Sequence, residues 1–93
     1  MKKIIKIGAE WCGPCKALEP IFQKISRMDE FKDAEFKSID AEDDEALELV
    51  DKFQVRNVPT ILVLNDNNEL IDKMIGAAPE SRLIQFLRET LSK

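Results

Sequence analysis

The chain has 93 residues, which allows one domain near the lower end of the usual size range, and 44% of them are hydrophobic, enough for one compact core. The net charge of −4 argues against nucleic acid or an anionic membrane as a partner. No stretch approaches the roughly 20 apolar residues that a membrane span needs. The basic N-terminus is followed by an apolar run that is broken at Lys6, so we expect no export signal.

The first predicted elements are a strand and a helix on either side of a cysteine pair. The apolar run at residues 4–7 is typical of a short buried strand, which we place at residues 2–8. From residue 13 to residue 28, apolar side chains recur at spacings of three and four, as in an amphipathic helix. These side chains are Leu18, Ile21, Phe22 and Ile25. The helix contains Pro20, which removes one backbone hydrogen bond, so we expect a bend there.

The two cysteines, Cys12 and Cys15, are the only ones in the chain. A pair at this spacing can be half of a zinc site, an attachment point for a cofactor, or a redox-active dithiol. A structural zinc site needs about four Cys or His ligands, and the chain has no histidine and no third cysteine. Haem attachment needs a His directly after the second cysteine, where Lys16 stands. We therefore expect no metal and no cofactor, which leaves redox chemistry or two unreactive thiols.

The position of the pair favours redox chemistry. Unpaired N–H groups and the dipole at a helix N-terminus favour an anion, so a cysteine there ionises more readily. We expect Cys12 to be the exposed, attacking sulfur and Cys15, one turn into the helix, to resolve the mixed disulfide. We interpret Trp11, beside the first thiol, as part of an exposed rim that partner proteins touch. Burial of Trp11 in the core is the less favoured alternative.

Residues 34–53 predict a strand followed by a helix. The alternation within residues 34–40 is typical of a strand near a sheet edge. The acidic block at residues 41–45 is interpreted as charge that complements a helix N-terminus. A metal-binding acidic loop is the weaker alternative, because its glycine and its alternating ligands are missing. The expected apolar stripe of the helix is Leu47, Val50 and Phe53.

The rest of the chain predicts a hairpin and a last helix. The continuous apolar run at residues 61–64 indicates a central strand. The Asn- and Asp-rich turn at residues 65–68 then indicates an antiparallel partner at residues 70–75. Pro79 opens the last helix, whose apolar face is Leu83, Ile84, Phe86, Leu87 and Leu91. Right-handed crossovers between the first three strands would make them parallel and place helices on both faces of the sheet.

Three segments match motifs of one known family. Residues 9–16, Ala-Glu-Trp-Cys-Gly-Pro-Cys-Lys, match the active-site signature position by position, and Pro20 lies where that family kinks its active-site helix. Residues 58–60, Val-Pro-Thr, resemble its cis-proline loop, and residues 75–77, Ile-Gly-Ala, its glycine turn. Over about residues 3–91 the chain therefore resembles the thioredoxin family.

The resemblance implies an α/β, thioredoxin-like fold of three layers, in which a four-stranded mixed sheet has helices on both faces. The implied order is β-α-β-α-β-β-α in a single domain over residues 1–93, without the strand and helix that full-length members carry at the N-terminus. It also implies a cis Val58–Pro59 bond, in a loop that faces the cysteines and pairs with bound substrate like an added strand.

The resemblance carries over two sets of site residues. Those expected to bind substrate are Trp11, Val58, Pro59, Thr60, Gly76 and Ala77. Those expected to support the active site are Trp11, Gly13, Pro14, Lys16 and Pro59, and we add Lys6, which does not match the family pattern.

Lys6 departs from the family pattern. Thioredoxins generally carry a buried aspartate six residues before the first cysteine, which manages the proton of the resolving thiol. A matching lysine on the neighbouring strand is also missing, with Phe36 expected at that place. Two interpretations stay open: Lys6 extends to water on a face that the shortened chain uncovers, or its amine lies near Cys15 and acts on that thiol.

The leading hypothesis for function is a protein-disulfide reductase that cycles between the Cys12–Cys15 dithiol and its disulfide. Electrons would come from a separate donor resembling thioredoxin reductase, because a dinucleotide-binding fingerprint is absent. We expect disulfide-containing protein substrates, a monomer, and a reducing cytoplasm in which the disulfide is transient.

Two alternatives remain beside it. The first is a glutaredoxin-like enzyme that uses glutathione, although that family usually has Pro-Tyr between its cysteines. The second is a non-catalytic binding subunit of the same fold, in which the dithiol is incidental.

Overall fold

The computed structural model describes residues 1–92, and within them seven α-helices and β-strands follow one another in the predicted order. They are β1 (Lys3–Gly8), α1 (Gly13–Ser26), β2 (Glu35–Asp40), α2 (Asp44–Lys52), β3 (Thr60–Leu64), β4 (Leu70–Ile75) and α3 (Glu80–Leu91). The domain end predicted at Lys93 lies outside the described residues. None of the helices within residues 1–92 is long and apolar enough to cross a membrane.

The four strands form one mixed sheet in the order β2-β1-β3-β4. β2 lies at an edge and β3 inside the sheet, as predicted, and β3 and β4 form the predicted antiparallel hairpin. β1 pairs with β2 in parallel but with β3 antiparallel, so the expectation of three parallel strands is wrong for β3.

The direction of β3 follows from where the chain enters it. Gly8, the last residue of β1, pairs with Asp40, the last residue of β2, and Ile7 pairs with Thr60, the first residue of β3. α2 has only nine residues, and the connection after it enters β3 at the same end of the sheet at which β2 ends. The crossover rule sets the hand of a parallel connection and does not require that a connection be parallel.

Alternation along the strands gives the sheet two apolar faces. Ile4 of β1 packs with α1 and α3, whereas Ile5 and Ile7 pack with α2 on the opposite face. The helix residues buried on the first face are Leu18, Phe22, Ile25, Leu83 and Leu87. Each fully buried Leu, Ile or Phe contributes about 1.5–3 kcal/mol, so these side chains fix how the helices dock. The three-layer arrangement is therefore confirmed.

The apolar stripe of α2 differs from the prediction at one position. Leu47 is 55% exposed, whereas Ala46 is fully buried and Leu49, Val50 and Phe53 pack around the same core. Residues three, four and seven positions apart share one helix face, and Ala46 starts that series. Leu47, one position further along, therefore points away from the sheet.

Candidate active site

The candidate active site lies where β1 ends and α1 begins. Cys12 has extended backbone angles, φ −94° and ψ 110°, and is the N-cap of α1. Pro14 lies in the first turn of the helix, where a backbone N–H would have no helical partner, so proline is well tolerated. The strand-to-helix position predicted for the cysteine pair is confirmed.

The two sulfurs are joined in a disulfide with a Cα–Cα distance of 5.2 Å. The backbone N–H of Cys15 donates a hydrogen bond to Cys12 Sγ over 3.2 Å, so a sulfur serves as the capping acceptor of α1. The N–H of Cys12 itself donates to the carbonyl oxygen of Ala9 over 3.2 Å. After reduction, Cys12 Sγ therefore has one backbone donor, the N–H of Cys15, and lies at the positive end of a helix dipole, which favours its thiolate.

In the disulfide form neither cysteine is exposed. Cys12 is 6% exposed and Cys15 is 3% exposed, so the expectation of an exposed first sulfur is wrong for this state. Cys12 packs with Ala9 and Val58, and its Sγ lies 3.8 Å from the carbonyl oxygen of Val58. The loop that contains Val58 covers the sulfur from a distant part of the sequence.

That loop contains the cis Val58–Pro59 bond that the resemblance implied. The carbonyl oxygen of Pro59 accepts a hydrogen bond from the N–H of Gly76 over 2.8 Å, which joins the loop to the glycine turn. Thr60 is 1% exposed and its hydroxyl donates to the carbonyl oxygen of Asn57 over 2.6 Å, so its side chain supports the loop from inside. The two predicted loop motifs thus lie side by side, and the first of them contacts Cys12 through Val58.

Exposed apolar side chains stand around this centre. Trp11 is 73% exposed, which confirms that it lies on the surface and not in the core. Pro14 and Ala77 are exposed, and Val58 is half-buried. Ile75, which is not among the predicted binding residues, is 57% exposed. The signal that marks it is its place in the Ile-Gly-Ala motif, directly before the turn.

Lys6 does not extend to water. It is 4% exposed, and its Nζ lies 2.5 Å from Oε2 of Glu19 on α1. Glu19 also accepts hydrogen bonds from Gln23 and Ser38, both at 2.9 Å. Burial raises the pKa of the Glu19 carboxyl, but the three accepted hydrogen bonds and the charge of Lys6 lower it by more, so its pKa lies below the ordinary value. The Glu19 carboxyl group is therefore ionised at neutral pH, and it forms an ion pair with Lys6.

Sequence reasoning missed Glu19. It lies four residues after Cys15, so both face the same side of α1, and this spacing is the signal that points to it. A groove open to solvent runs past Cys15 and this ion pair. Its charged lining residues are Lys6, Glu10, Lys16, Glu19 and Asp40.

A dithiol pair that caps a helix, covered by a proline loop and bordered by exposed apolar side chains, defines the protein as a thiol–disulfide oxidoreductase. Comparison with known proteins agrees. The thioredoxin family model matches residues 1–89, and the chain belongs to the thioredoxin family.

Relatives and solved structures span most of the chain. It is 41% identical to thioredoxin Asp f 29 of Aspergillus fumigatus over 76 residues, which cover 82% of this chain and 66% of that protein. It is 34% identical to the thioredoxin of Mycoplasmoides gallisepticum over 87 residues, 94% of this chain and 82% of that protein. The crystal structure of Malassezia sympodialis thioredoxin superposes with a TM-score of 0.80 at 29% identity, over 96% of this chain and 75% of that one.

Proposed function

We propose that this oxidoreductase acts as a protein-disulfide reductase, with Cys12 as the nucleophile and Cys15 as the resolving thiol. The observation that carries the proposal is the hydrogen bond from the Cys15 N–H to Cys12 Sγ at the start of α1. It singles out one of the two sulfurs as the stabilised anion, and the thiolate is the species that attacks a disulfide.

The reaction transfers two electrons in two exchange steps. The Cys12 thiolate attacks one sulfur of a substrate disulfide, so a Cys12–substrate bond forms and the first substrate sulfur leaves as a thiolate. The Cys15 thiolate then attacks Cys12 Sγ, the Cys12–substrate bond breaks, and the second substrate sulfur leaves. The substrate gains two thiols after protonation from water, and the protein ends in the disulfide state that the structure shows.

The rim around Cys12 suits an extended segment of a substrate protein. The loop at Val58 and Pro59 covers the sulfur and is hydrogen-bonded to the turn at Gly76, so the backbone of Val58, next to Cys12, is the part of the loop that an extended substrate segment would pair with. Trp11, directly before Cys12, and Ala77, directly after Gly76, offer exposed apolar surface. Gly13, Pro14 and Lys16 support the turn and the first helical residues.

The oxidised protein needs a source of two electrons. We propose a separate reductase of the thioredoxin-reductase kind as the donor, in keeping with the family to which the chain belongs. We further propose that the protein acts as a monomer in a reducing cytoplasm, where a disulfide of this kind is transient and catalytic.

Turnover with two electron sources tests the proposal. The protein is given insulin, whose chains are joined by disulfides, together with NADPH and either a thioredoxin reductase or glutathione with glutathione reductase. We expect multiple turnovers with the thioredoxin reductase and much slower ones with glutathione. Cys12→Ser and Cys15→Ser are the matched controls and should each abolish turnover.

Other outcomes assign other functions. Faster turnover with glutathione would place the protein with glutaredoxin-like enzymes. No turnover with either donor, combined with substrate binding that survives the double change Cys12→Ser and Cys15→Ser, would identify a binding subunit.

A further inference from the structure

The buried ammonium group of Lys6 lies beside the resolving thiol. Lys6 is on β1, two residues before Gly8, and Cys15 packs against the same stretch of backbone. A Cβ placed on Gly8 would lie 3.3 Å from Lys6 Nζ and 3.4 Å from Cys15 Sγ. The amine and the sulfur therefore border one small space. A charge on a side chain as buried as Lys6, which is 4% exposed, acts on a neighbouring sulfur more strongly than a charge on a fully exposed side chain does.

The other charged groups near this space lie closer to solvent. Glu10 and Lys16 are exposed and Asp40 is half-buried, so water and salt screen their charges. Glu19 has a side chain that is 37% exposed, compared with 5% for Lys6. Lys6 is thus the charge with the least screening, and Glu19 is the group that holds its amine in place.

We propose that Lys6 is a positioning residue for the second exchange step: its ammonium group, oriented by Glu19, stabilises the thiolate of Cys15. This inference rests on the proposed function, because it assigns Lys6 to the step in which Cys15 attacks. The Cys15 thiol gives its proton to water in the groove, and the thiolate attacks Cys12 Sγ of the mixed disulfide. The Cys12–Cys15 bond forms, and the substrate sulfur leaves with the electron pair of the broken bond.

The two partners of the ion pair should have opposite effects on Cys15. Replacing Lys6 with Met removes the cation and leaves the carboxylate of Glu19 unpaired, and both changes disfavour the thiolate. Replacing Glu19 with Gln keeps an acceptor for the Lys6 amine but removes the negative charge, which favours the thiolate. A purely structural role for the pair would give changes in the same direction, because either substitution weakens the same contact.

The first test measures ionisation of Cys15 alone. In the Cys12→Ser background, Cys15 is the only thiol, and its thiolate is titrated by ultraviolet absorbance. We expect Lys6→Met to lower the fraction of thiolate at neutral pH about tenfold and Glu19→Gln to raise it. This test does not depend on whether the protein reduces other proteins, so it can fail or succeed independently of the proposed function.

The second test separates the two steps in the chain with both cysteines. Reduced protein is mixed with oxidised glutathione, and acid-quenched samples are analysed by mass spectrometry for the Cys12–glutathione adduct. We expect Lys6→Met to change the rate of adduct formation by no more than about twofold and to slow the resolution of the adduct about threefold. The slowing is smaller than the loss of thiolate, because a more basic thiolate is a better nucleophile, with a Brønsted slope of about 0.4–0.5.

Glu19→Gln serves as the second variant because the Glu19 side chain is partly exposed. A substitution there disturbs the fold less than a substitution of the buried Lys6. Faster resolution in Glu19→Gln together with slower resolution in Lys6→Met supports the proposal. Unchanged titration curves, or shifts of both variants in the same direction, overturn it.

Discussion

The backbone N–H of Gly76 donates a hydrogen bond to the carbonyl oxygen of Pro59 over 2.8 Å. This bond connects the turn after β4 to the loop that covers Cys12. Gly76 has a φ of +89°, a backbone angle that residues with a side chain rarely adopt.

We predict that Gly76→Ala lowers the free energy of unfolding by about 1–2 kcal/mol, because an added Cβ disfavours the left-handed backbone even though the space around it is open. Denaturant unfolding measures this. Gly13→Ala is the matched control, because Gly13 begins α1 and a Cβ there meets nothing within 4 Å. It should leave stability unchanged or raise it by up to about 1 kcal/mol. An equal loss in both variants would contradict this account of Gly76.

We predict that Gly8→Ala destabilises the protein for a different reason. A Cβ on Gly8 would lie 3.3 Å from both Lys6 Nζ and the Cβ of Cys15, tighter than ordinary packing. Crowding of this kind typically costs about 1–3 kcal/mol. The measurement is denaturant unfolding of the variant, first as the disulfide and then as the dithiol. A stability equal to that of the wild type in both states would show that the space behind Cys15 is not closely packed.

Much of this arrangement follows from local patterns. Apolar runs are sufficient to place β1 and β3, and the spacing of apolar residues is sufficient to place α1. The turn-forming residues Gly13 and Pro14 lie between the two cysteines. The direction of β3 does not follow from a local pattern, because it depends on the end of the sheet at which the connection after α2 enters the strand. The burial of Cys12 depends on Val58, 46 residues away, and the burial of Lys6 depends on Glu19 on another element. Such tertiary contacts leave no periodic signal in the sequence.

We predict that Trp11→Ala weakens the reaction with protein disulfides but not with small ones. The indole is 73% exposed, so its loss removes contact surface for a partner while leaving the core intact. We expect kcat/KM for insulin to fall about tenfold, equivalent to about 1.4 kcal/mol, with little change for oxidised glutathione. Leu47→Ala is the matched control, since Leu47 is a large apolar residue that is 55% exposed on α2. A similar loss in Leu47→Ala would show a general surface effect.

We predict that Glu19 contributes stability that acid removes. The pKa of its carboxyl is held below the ordinary value, so the folded state binds its proton less readily than the unfolded chain. Its contribution is therefore complete above the ordinary carboxyl pKa of about 4.3 and is lost as the pH falls through the lower pKa of the folded state. At pH 7, Glu19→Gln should be less stable than the wild type by about 1–3 kcal/mol, because the buried ammonium loses its charged partner.

Denaturant unfolding of both proteins at pH 7 and near pH 3 measures the difference. Lys24→Met, which removes an exposed cation from another ion pair of α1, controls for general charge effects and should cost less than about 1 kcal/mol. If the difference in the free energy of unfolding between wild type and Glu19→Gln stays constant from neutral to acid pH, the prediction is contradicted.

Trapping the mixed disulfide shows which of the two cysteines attacks the substrate and which one resolves the intermediate. The Cys15→Ser and Cys12→Ser variants are each reduced, mixed with insulin, quenched with acid and analysed by mass spectrometry after proteolysis. We predict that Cys15→Ser accumulates an insulin adduct on Cys12, that Cys12→Ser accumulates little on Cys15, and that the wild type accumulates none because Cys15 releases the substrate. Adducts of equal yield on both variants, or a larger yield on Cys15, would contradict the assignment of the two thiols.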